Sequence, residues 1–410
     1  MTILILGVSG FIGRYLYDDL TQQGHHVIGS SRAKVSRINW QHFDFKQNEA
    51  IWRTQLLGID LVINATGIFQ QSRSQLFSHV HDLGPKKLFT LCQTLDIKLI
   101  QISAIGAEQE KPVTEFLASK RRADHVILSG KQANIVLYPG IVLGEQGKST
   151  QQLSLLARLF CTPMALEKST ILPMISIEQL SEHIQFLIKN WPSSSYAKVM
   201  VAQPETIELL LGNLRRWMGL KHGYFIWLPK QFLSFLFALF PRISIGVFNK
   251  QSINMLSAYS STSYQPVTTE TASHSLLKDS ASTEFNKKTQ LNMLFYFNLM
   301  TLSIIWIMSG LSSLISIDTS RDLISSLHMD IKWGELFIFT AAIGDIILGV
   351  LLFFPKFRAW VIKLQIAVII TYSLIISLFI PEFWLHPFAP IIKNMAMIVL
   401  ALYLFIEERE

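Results

Sequence analysis

Three glycines at intervals of three residues, Gly7, Gly10 and Gly13, directly follow the apolar residues 3–6. Backbone without side chains lets several N–H groups approach a pyrophosphate, and the N-terminus of a following helix adds partial positive charge. The last glycine also lets such a helix pack closely on the preceding strand. The spacing therefore predicts a dinucleotide-binding turn rather than a purely structural one.

The segments around this turn read as a strand, a helix and a second strand. Residues 3–6 are continuously apolar, as in a parallel strand that is covered on both faces. Ile12, Leu16 and Leu20 recur at helical spacing until Gly24, and a second apolar strand begins at Val27. This order predicts a βαβ unit and, with it, an α/β fold of the Rossmann type with a doubly wound parallel sheet.

The second predicted strand ends at Ser30, Ser31 and Arg32. Sites for NAD usually have a carboxylate here that accepts hydrogen bonds from the ribose 2′-OH, whereas a 2′-phosphate is repelled by a carboxylate and held by arginine. Because this position has an arginine and no carboxylate, we expect NADP(H) in preference to NAD(H). The alternative is that Arg32 is only surface charge.

Charge divides the 410 residues into two parts. Residues 1–289 carry a net charge of +9, and residues 290–410 carry −2 and are nearly free of charge. The lysines and arginines of the first part are scattered without interleaved aromatic residues, which favours a surface facing anionic lipid over one that binds nucleic acid.

Neither a disulfide framework nor a metal site is indicated. The sequence has two cysteines, Cys92 and Cys161, and no His/Cys cluster at metal-ligand spacing. His79 and His81, with the neighbouring Asp82, fall in a predicted helix over residues 74–95. Residues two apart point to different faces of a helix, so we expect no metal there.

Four apolar segments, at about residues 291–314, 336–354, 359–380 and 391–406, are predicted to span a membrane. Asp345 lies in the middle of the second span, where an unpaired carboxylate costs roughly 2.5 kcal/mol or more. We expect it to be protonated, to face the bundle interior or to pair with a cation, for which Lys393 is the candidate. The alternative is a hydrogen bond to a neighbouring helix.

Loop charges predict how these spans are oriented. Lys287 and Lys288 precede the first span, and Lys356 and Arg358 lie between the second and third with no acidic residue nearby. By the positive-inside rule, both termini lie in the cytoplasm. The N-terminal apolar run is too short for a signal peptide and has no basic residues before it, which agrees with that side.

The glycine spacing resembles that of extended and atypical short-chain dehydrogenases/reductases (SDRs), and most closely the branch that contains the nucleotide-binding accessory subunit of respiratory complex I. Asp44 stands where this superfamily has an acidic residue near the adenine, although a turn carboxylate is the alternative. Residues 60–67 match the element that passes beneath the cofactor. The cofactor contacts predicted in this way are Gly7, Ser9, Gly10, Phe11, Ile12, Gly13, Arg32, Asp44, Asn64, Ala65 and Lys120.

Reductases of this superfamily use a tyrosine as acid or base, a lysine four residues later and a serine or threonine hydroxyl. The matching stretch here has Lys120, but Phe116 occupies the position of the tyrosine. A phenyl ring has no exchangeable proton, so the usual mechanism is not available from this position. Ser103 and Lys120 are left as candidate catalytic residues, and the resemblance assigns Lys120 to the nicotinamide ribose.

The apolar C-terminal part resembles the DoxX-like family of four-helix membrane domains, named after a thiosulfate:quinone oxidoreductase subunit. The resemblance rests on residues 305–311 and 344–349, and most firmly on residues 384–394. Its fusion to an atypical reductase-like domain is a recurring bacterial arrangement. The resemblance therefore implies a multi-pass protein of the bacterial inner membrane.

These inferences divide the chain into four parts: a Rossmann domain at 1–150, a substrate-side lobe at 151–256, a polar linker at 257–288 and a four-helix transmembrane bundle at 289–410. The apolar residues 232–240 are too few to span a bilayer, and we expect them to lie on the membrane or to line the pocket entrance.

A hydride-cofactor site joined to a membrane domain predicts an oxidoreductase acting on a lipophilic or membrane-borne acceptor such as a quinone. Its expected partners are membrane lipid and other membrane proteins. Phe116 supports the alternative, a non-catalytic nucleotide-binding module that stabilises or regulates a membrane complex.

Overall fold

The computed structural model describes residues 1–32, 39–72, 75–164, 168, 170–228, 277, 280–317, 331–385 and 390–408. These residues form two compact units, Met1–Asn286 and Lys287–Glu410. The apolar residues 232–240 and most of the predicted linker lie outside the described residues.

The described part of the first unit is an α/β structure. Its strands are β1 (Thr2–Leu6), β2 (His26–Ser31), β3 (Trp40–His42), β4 (Leu61–Asn64), β5 (Lys98–Ile102), β6 (Ile135–Pro139), β7 (Ile141–Leu143), β8 (Cys161–Met164), β9 (Ile171–Ser176), β10 (Tyr196–Met200), β11 (Gln203–Thr206) and β12 (Tyr224–Trp227). Its α-helices are α1 (Phe11–Gln22), α2 (Glu49–Gln55), α3 (Gly84–Thr94), α4 (Glu115–Leu128), α5 (Lys148–Arg158), α6 (Ile177–Lys189) and α7 (Ile207–Trp217).

Seven strands form one parallel sheet in the spatial order β10-β6-β5-β4-β1-β2-β3. Leu6, at the end of β1, pairs with Ser30 of β2 on one side and with Asn64 of β4 on the other. The strand order therefore reverses beside β1, and ligands of doubly wound sheets bind at such a switch point. The predicted Rossmann-type fold is confirmed.

A smaller lobe packs its own core beside this sheet. Strand β9 pairs with β7 and β11, β8 pairs with β12, and α5 and α7 share the apolar cluster with them. Within residues 151–256, however, α6 and β10 belong to the large sheet layer. Helix α6 packs on α1, where the Asp19 carboxylate accepts hydrogen bonds from Ser181 and Gln185.

The segment predicted as one helix over residues 74–95 is divided in the described chain. A π-helical turn, Ser78–Leu83, precedes α3, which begins at Gly84 and Pro85. A side chain at Gly84 would overlap the Phe45 ring, so this glycine lets the segment pack directly on the loop after β3.

The described part of the second unit contains four α-helices, α8 (Thr283–Ile315), α9 (Ile331–Leu351), α10 (Pro355–Phe379) and α11 (Pro390–Glu407), and a 3₁₀ turn, Pro381–Trp384, between the last two. Among the described residues, Thr283–Ile315, Gly334–Leu351 and Pro355–Phe379 are long and apolar enough to cross a membrane. Helix α11 has 18 residues, which rise about 27 Å. Helix α8 begins within the segment that the sequence predicted as linker.

Small residues bring α8 and α9 together. A side chain at Gly310 would overlap the carbonyl oxygen of Ala342, and a Cβ at Gly349 would lie 2.9 Å from the carbonyl oxygen of Ser303. The Ser303 hydroxyl donates to the carbonyl of Gly349 at 2.8 Å. Such close approach through glycine is characteristic of helix pairs in membranes.

Asp345 of α9 has a neutral partner. Its side chain is buried, and it accepts a hydrogen bond from the Ser309 hydroxyl of α8 at 3.0 Å. The Lys393 side chain, which the sequence suggested as its partner, is exposed. The structure thus gives the carboxyl group the interhelical hydrogen bond that was the alternative.

Arg358 closes one end of the bundle. Its guanidinium donates to the carbonyl of Leu352 at 2.9 Å, and it pairs with the Glu408 carboxylate, which follows α11, at 2.7 Å. The start of α10 is therefore held to the end of α11.

The substitution Gly13→Ala should destabilise the first unit by about 1–3 kcal/mol, because its Cβ would overlap the carbonyl oxygen of Gly7. Gly212→Ala in α7 is the matched control. A Cβ there meets nothing within 4 Å, so it should stabilise the helix by about 0.5–1 kcal/mol. Unfolding of the cofactor-free full chain in detergent measures both, and equal effects would contradict the close-contact argument.

Candidate dinucleotide site

Hydrogen bonds fasten the glycine turn to the end of β2. Gly7 has φ of +84°, a conformation that favours glycine. The N–H groups of Gly7 and Val8 donate to the carbonyl of Ser30 at 3.1 and 3.2 Å, and the N–H of Gly10 donates to the carbonyl of Gly7 at 2.9 Å. Gly10 is the N-cap of α1 and supplies no side-chain acceptor. The first-turn N–H groups of α1 can therefore receive an anion.

A cavity of about 290 Å³ lies at the ends of β1, β2 and β4. The glycine turn, the end of β2, the loop after β3, the loop after β4 and the start of α3 form its walls. The lining residues are Leu6, Gly7, Ser9, Gly10, Ser30, Ser31, Arg32, Phe43, Asp44, Phe45, Lys46, Ala65, Thr66, Gly67, Ile68, His79, Val80, Leu83, Gly84 and Lys87.

Six of the predicted cofactor residues line this cavity: Gly7, Ser9, Gly10, Arg32, Asp44 and Ala65. The others lie outside its lining. Gly13 packs on the Gly7 backbone, and Ile12 contacts the core of the sheet. The Phe11 ring packs against Gly144 and Gly147, so it connects the turn to the small lobe.

Asp44 lines the cavity and also organises its own turn. Its carboxylate accepts the N–H of Lys46 at 3.0 Å, and its own N–H donates to the Gln47 side chain at 2.9 Å. Its carbonyl accepts the Trp52 indole N–H at 3.2 Å. The two interpretations of Asp44 from the sequence, an acidic residue near the adenine and a turn carboxylate, are therefore compatible.

Asn64 faces inward and holds the loop beneath the cavity. Its side chain is 1% exposed and donates to the Gln101 side chain at 2.7 Å. Its oxygen accepts the N–H and the hydroxyl of Thr66 at 3.1 and 2.6 Å. In this structure Asn64 joins β4 to β5 and fixes the course of residues 65–67, rather than lining the cavity.

Phe116 belongs to a cluster of four aromatic rings. Its centroid lies 5.3 Å from that of Phe69, 5.9 Å from Phe77 and 5.4 Å from His81. Phe116 is 7% exposed. The position that the resemblance assigns to the superfamily's tyrosine therefore lies in a buried cluster of aromatic rings.

The bonding of His81 sets its tautomer. The N–H of Ile68 donates to Nε2 at 3.0 Å, so the proton is on Nδ1, which faces the Ser119 hydroxyl at 3.1 Å. The Ser119 hydroxyl donates onward to the carbonyl of Phe116 at 2.8 Å. Burial, helped by the charge of Lys120, lowers the pKa of His81 to about 2. His81 is thus neutral and holds the loop after β4 through the Ile68 N–H.

Lys120, Asp124 and Ser103 form a buried polar group beside the rings. The Lys120 ammonium donates to the carbonyl of Ile102 at 3.1 Å, and a Cβ at Gly67 would lie 3.7 Å from it. It therefore lies just behind the cavity wall. The Ser103 hydroxyl donates to the Asp124 carboxylate. Burial lowers the pKa of Lys120 to about 8 and raises that of Asp124 to about 6, although each charge opposes the shift of the other.

Several residues of the site were missed by sequence reasoning. Asp124 lies four residues after Lys120 on α4, a spacing that places both on one helix face. Lys46, His79 and Lys87 line the cavity but belong to no motif.

Asp82, which neighbours His81 in the sequence, pairs with Lys86 and Arg122. Burial opposes ionisation of Asp82, and hydrogen bonds from these two cations lower its pKa.

Two parts of the chain match known protein families. Residues 3–165 match the NAD dependent epimerase/dehydratase family, and residues 303–402 match the DoxX-like family. The chain thus combines an N-terminal SDR-like domain with a C-terminal DoxX-like domain. Both resemblances predicted from the sequence are confirmed.

Two curated relatives match part of the chain. The 40 kDa subunit of mitochondrial NADH-ubiquinone oxidoreductase from Neurospora crassa is 21% identical over 195 residues, which are 45% of this chain and 52% of that protein. Subunit 9 of the NADH dehydrogenase [ubiquinone] 1 alpha subcomplex from Arabidopsis thaliana is 22% identical over 158 residues, 35% of this chain and 39% of that protein. The chain spans about half or less of the length of these relatives.

Among solved structures, UDP-glucose 4-epimerase of Thermus thermophilus in complex with NAD is 16% identical. The superposition covers 63% of this chain and 99% of that one, with a TM-score of 0.45.

The buried His81 predicts a loss of stability in acid. Its pKa is lower in the folded chain than in the unfolded one, so the unfolded state binds the proton first as the pH falls below about 6.5. Between about pH 7 and about pH 5 this should remove roughly 2 kcal/mol from the free energy of unfolding. His81→Gln should reduce that loss, as measured by unfolding at both pH values. The exposed His125→Gln is the control, and an equal reduction there would refute the assignment.

Proposed function

We propose that the chain is a membrane-anchored protein whose SDR-like domain binds NADP(H) in preference to NAD(H). The observation that carries this proposal is the cavity at the switch point of the sheet, with the glycine turn on one wall and Arg32 on another. Lys46 and Lys87 add positive charge to the lining, and the Asp44 carboxylate is bonded to the N–H of Lys46. A wall with this charge suits a 2′-phosphate better than a bare ribose hydroxyl.

The chain's own residues divide the tasks of holding such a cofactor. The first-turn N–H groups of α1, which the glycine turn positions, would bind the pyrophosphate, and Arg32 would bind the 2′-phosphate. Lys120, behind Gly67, would bind the ribose of the nicotinamide half. When bound in reduced form, the cofactor supplies a hydride.

The proposed role of this site is to bind nucleotide as a module of a membrane complex, without turnover of a substrate. The rings of Phe116, Phe69 and Phe77 have no exchangeable proton, and the two ring nitrogens of His81 are engaged with Ile68 and Ser119. The two relatives from Neurospora and Arabidopsis are, by name, subunits of a larger oxidoreductase. These observations support the accessory role.

A second candidate is an oxidoreductase that passes the hydride to a lipophilic acceptor such as a quinone. The buried Lys120 and Asp124 favour it, because burial moves the pKa of both groups toward neutrality, as at many catalytic sites. A DoxX-like domain on the same chain would place the acceptor's membrane close to the cofactor.

For localisation we propose the bacterial inner membrane, with the nucleotide domain and both termini in the cytoplasm. Lys287 and Lys288 before the first span, and Lys356 and Arg358 between the second and third, support this orientation. Membrane lipid and membrane proteins are the proposed partners.

Arg32→Ala should weaken NADPH binding about tenfold to a hundredfold while changing NADH binding little, because the 2′-phosphate contact is charge-assisted. Calorimetry on the detergent-purified full chain measures both affinities. Lys131→Ala, an exposed cation after α4 that does not line the cavity, is the control. Equal losses for the two nucleotides would refute the NADP(H) preference, and no binding of either would refute the site.

Purified protein should bind NADPH without oxidising it when short-chain quinone analogues are added. Absorbance at the reduced nicotinamide band follows the reaction. Turnover that is lost in Asp124→Asn, while NADPH affinity is retained, would instead establish the second candidate. His125→Gln on the exposed side of α4 is the control for that variant.

A further inference from the structure

The two-stranded sheet of the small lobe has apolar residues on both faces. Along β12, Phe225 and Trp227 pack against the lobe core, while Tyr224 and Ile226 are 65% and 50% exposed. A solvated strand alternates apolar and polar residues, whereas a strand covered on both faces is apolar throughout. The composition of β12 therefore predicts that its outer face is also covered by an apolar surface.

The outer side continues onto β8 and forms one apolar surface, here named the β8–β12 face. Phe160 is 65% exposed, and its ring packs edge-on against Tyr224 at 5.3 Å. Cys161 pairs with Tyr224, and Pro163 pairs with Ile226, so both lie in register on the exposed side. The face consists of Phe160, Cys161, Pro163, Tyr224 and Ile226.

The two segments that carry this face contain cations and no carboxylates. Residues 156–164 and 209–228 contain no Asp or Glu. The exposed cations Arg216 and Lys221 lie in the second segment. An apolar patch with tyrosine at its surface, on segments whose charged residues are all cations, is suited to the headgroup region of an anionic bilayer.

The same lobe holds the segment that leads into the membrane domain. The Phe285 ring packs on Trp217 of α7 at 4.9 Å, and the N–H of Ala281 donates to the Trp217 carbonyl at 2.8 Å. Arg158, which precedes β8, donates to the carbonyl of Asn286 at 3.1 Å. The elements that flank the β8–β12 face therefore also anchor residues 281–286, directly before the second unit begins at Lys287.

We propose that the β8–β12 face docks on the membrane surface and inserts its apolar side chains into the interfacial region of an anionic bilayer. This inference rests on the membrane anchoring in the proposed function but is independent of nucleotide binding. It assigns the small lobe a lipid-binding role in addition to any part in the nucleotide site.

The free thiol of Cys161 provides the probe, because the other cysteine, Cys92, is buried. The full chain, labelled at Cys161 with an environment-sensitive fluorophore, is reconstituted in vesicles of equal phosphatidylcholine and phosphatidylglycerol. Spin-labelled headgroup lipid should quench this label at least about threefold more than a label at Leu57→Cys in a Cys161→Ser chain. Leu57 is 77% exposed and lies in the turn after α2, so aqueous iodide should quench it instead.

Charge reversal tests the lipid preference. Lys221→Glu should lower quenching by spin-labelled lipid about twofold or more in the anionic vesicles, whereas Lys131→Glu, in the Rossmann domain, should leave it unchanged. NADPH binding and the unfolding midpoint show whether each labelled variant is folded.

Two results would overturn the docking. Iodide quenching of the Cys161 label to the level of the Leu57→Cys label would show that the β8–β12 face lies in water. Protection of the Cys161 label from both iodide and spin-labelled lipid would show that protein covers the face. Flotation of the vesicles distinguishes a failure of docking from a failure of membrane anchoring. A chain that does not float with the vesicles would refute the membrane part of the proposed function.

Discussion

The nucleotide domain depends on one contact between two stretches of backbone, where α1 crosses the turn that precedes it. Gly13 permits this contact because any side chain there would overlap the carbonyl of Gly7. The same turn is bonded to Ser30 at the end of β2. The glycines therefore fix the distance between α1, β1 and β2, and that distance creates the cavity at the sheet edge. A change at this contact would alter the fold and the ligand site together.

In the proposed function, nucleotide binding and catalysis are separable, because the residues assigned to them lie in different parts of the domain. The cavity is built from backbone groups and exposed cations near β1 and β2. The position where the superfamily has its tyrosine is instead part of a packed aromatic cluster around Phe116. His81 links the two regions, since one ring nitrogen accepts from the cavity loop and the other contacts the helix that carries Lys120. A phenyl ring in place of the phenol that the resemblance implies thus removes the usual proton donor without altering the cavity lining.

Local signals explain what could be predicted from the sequence. The apolar strand before the glycines, the helical spacing after them and the long uncharged segments each require only neighbouring residues, and all are present in the structure. Partners across the fold are different. Asn64 bonds with Gln101, 37 residues later, and Asp345 bonds with Ser309 rather than with Lys393. Periodicity states which face of an element is buried but not which residue it meets. For the same reason, the sequence did not predict that α6 and β10 belong to the large sheet layer.

The ion pair between Arg358 and Glu408 has a consequence for topology. It joins the start of α10 to the residue after α11, so the N-terminus of α10 and the C-terminus of α11 lie at the same end of the bundle. In a membrane-spanning bundle, the end of α11 and the connection between α9 and α10 would therefore lie on the same side of the bilayer. A reporter fused to the C-terminus would locate both at once, and a chain shortened before Glu408 would leave a guanidinium at the bundle end without its carboxylate.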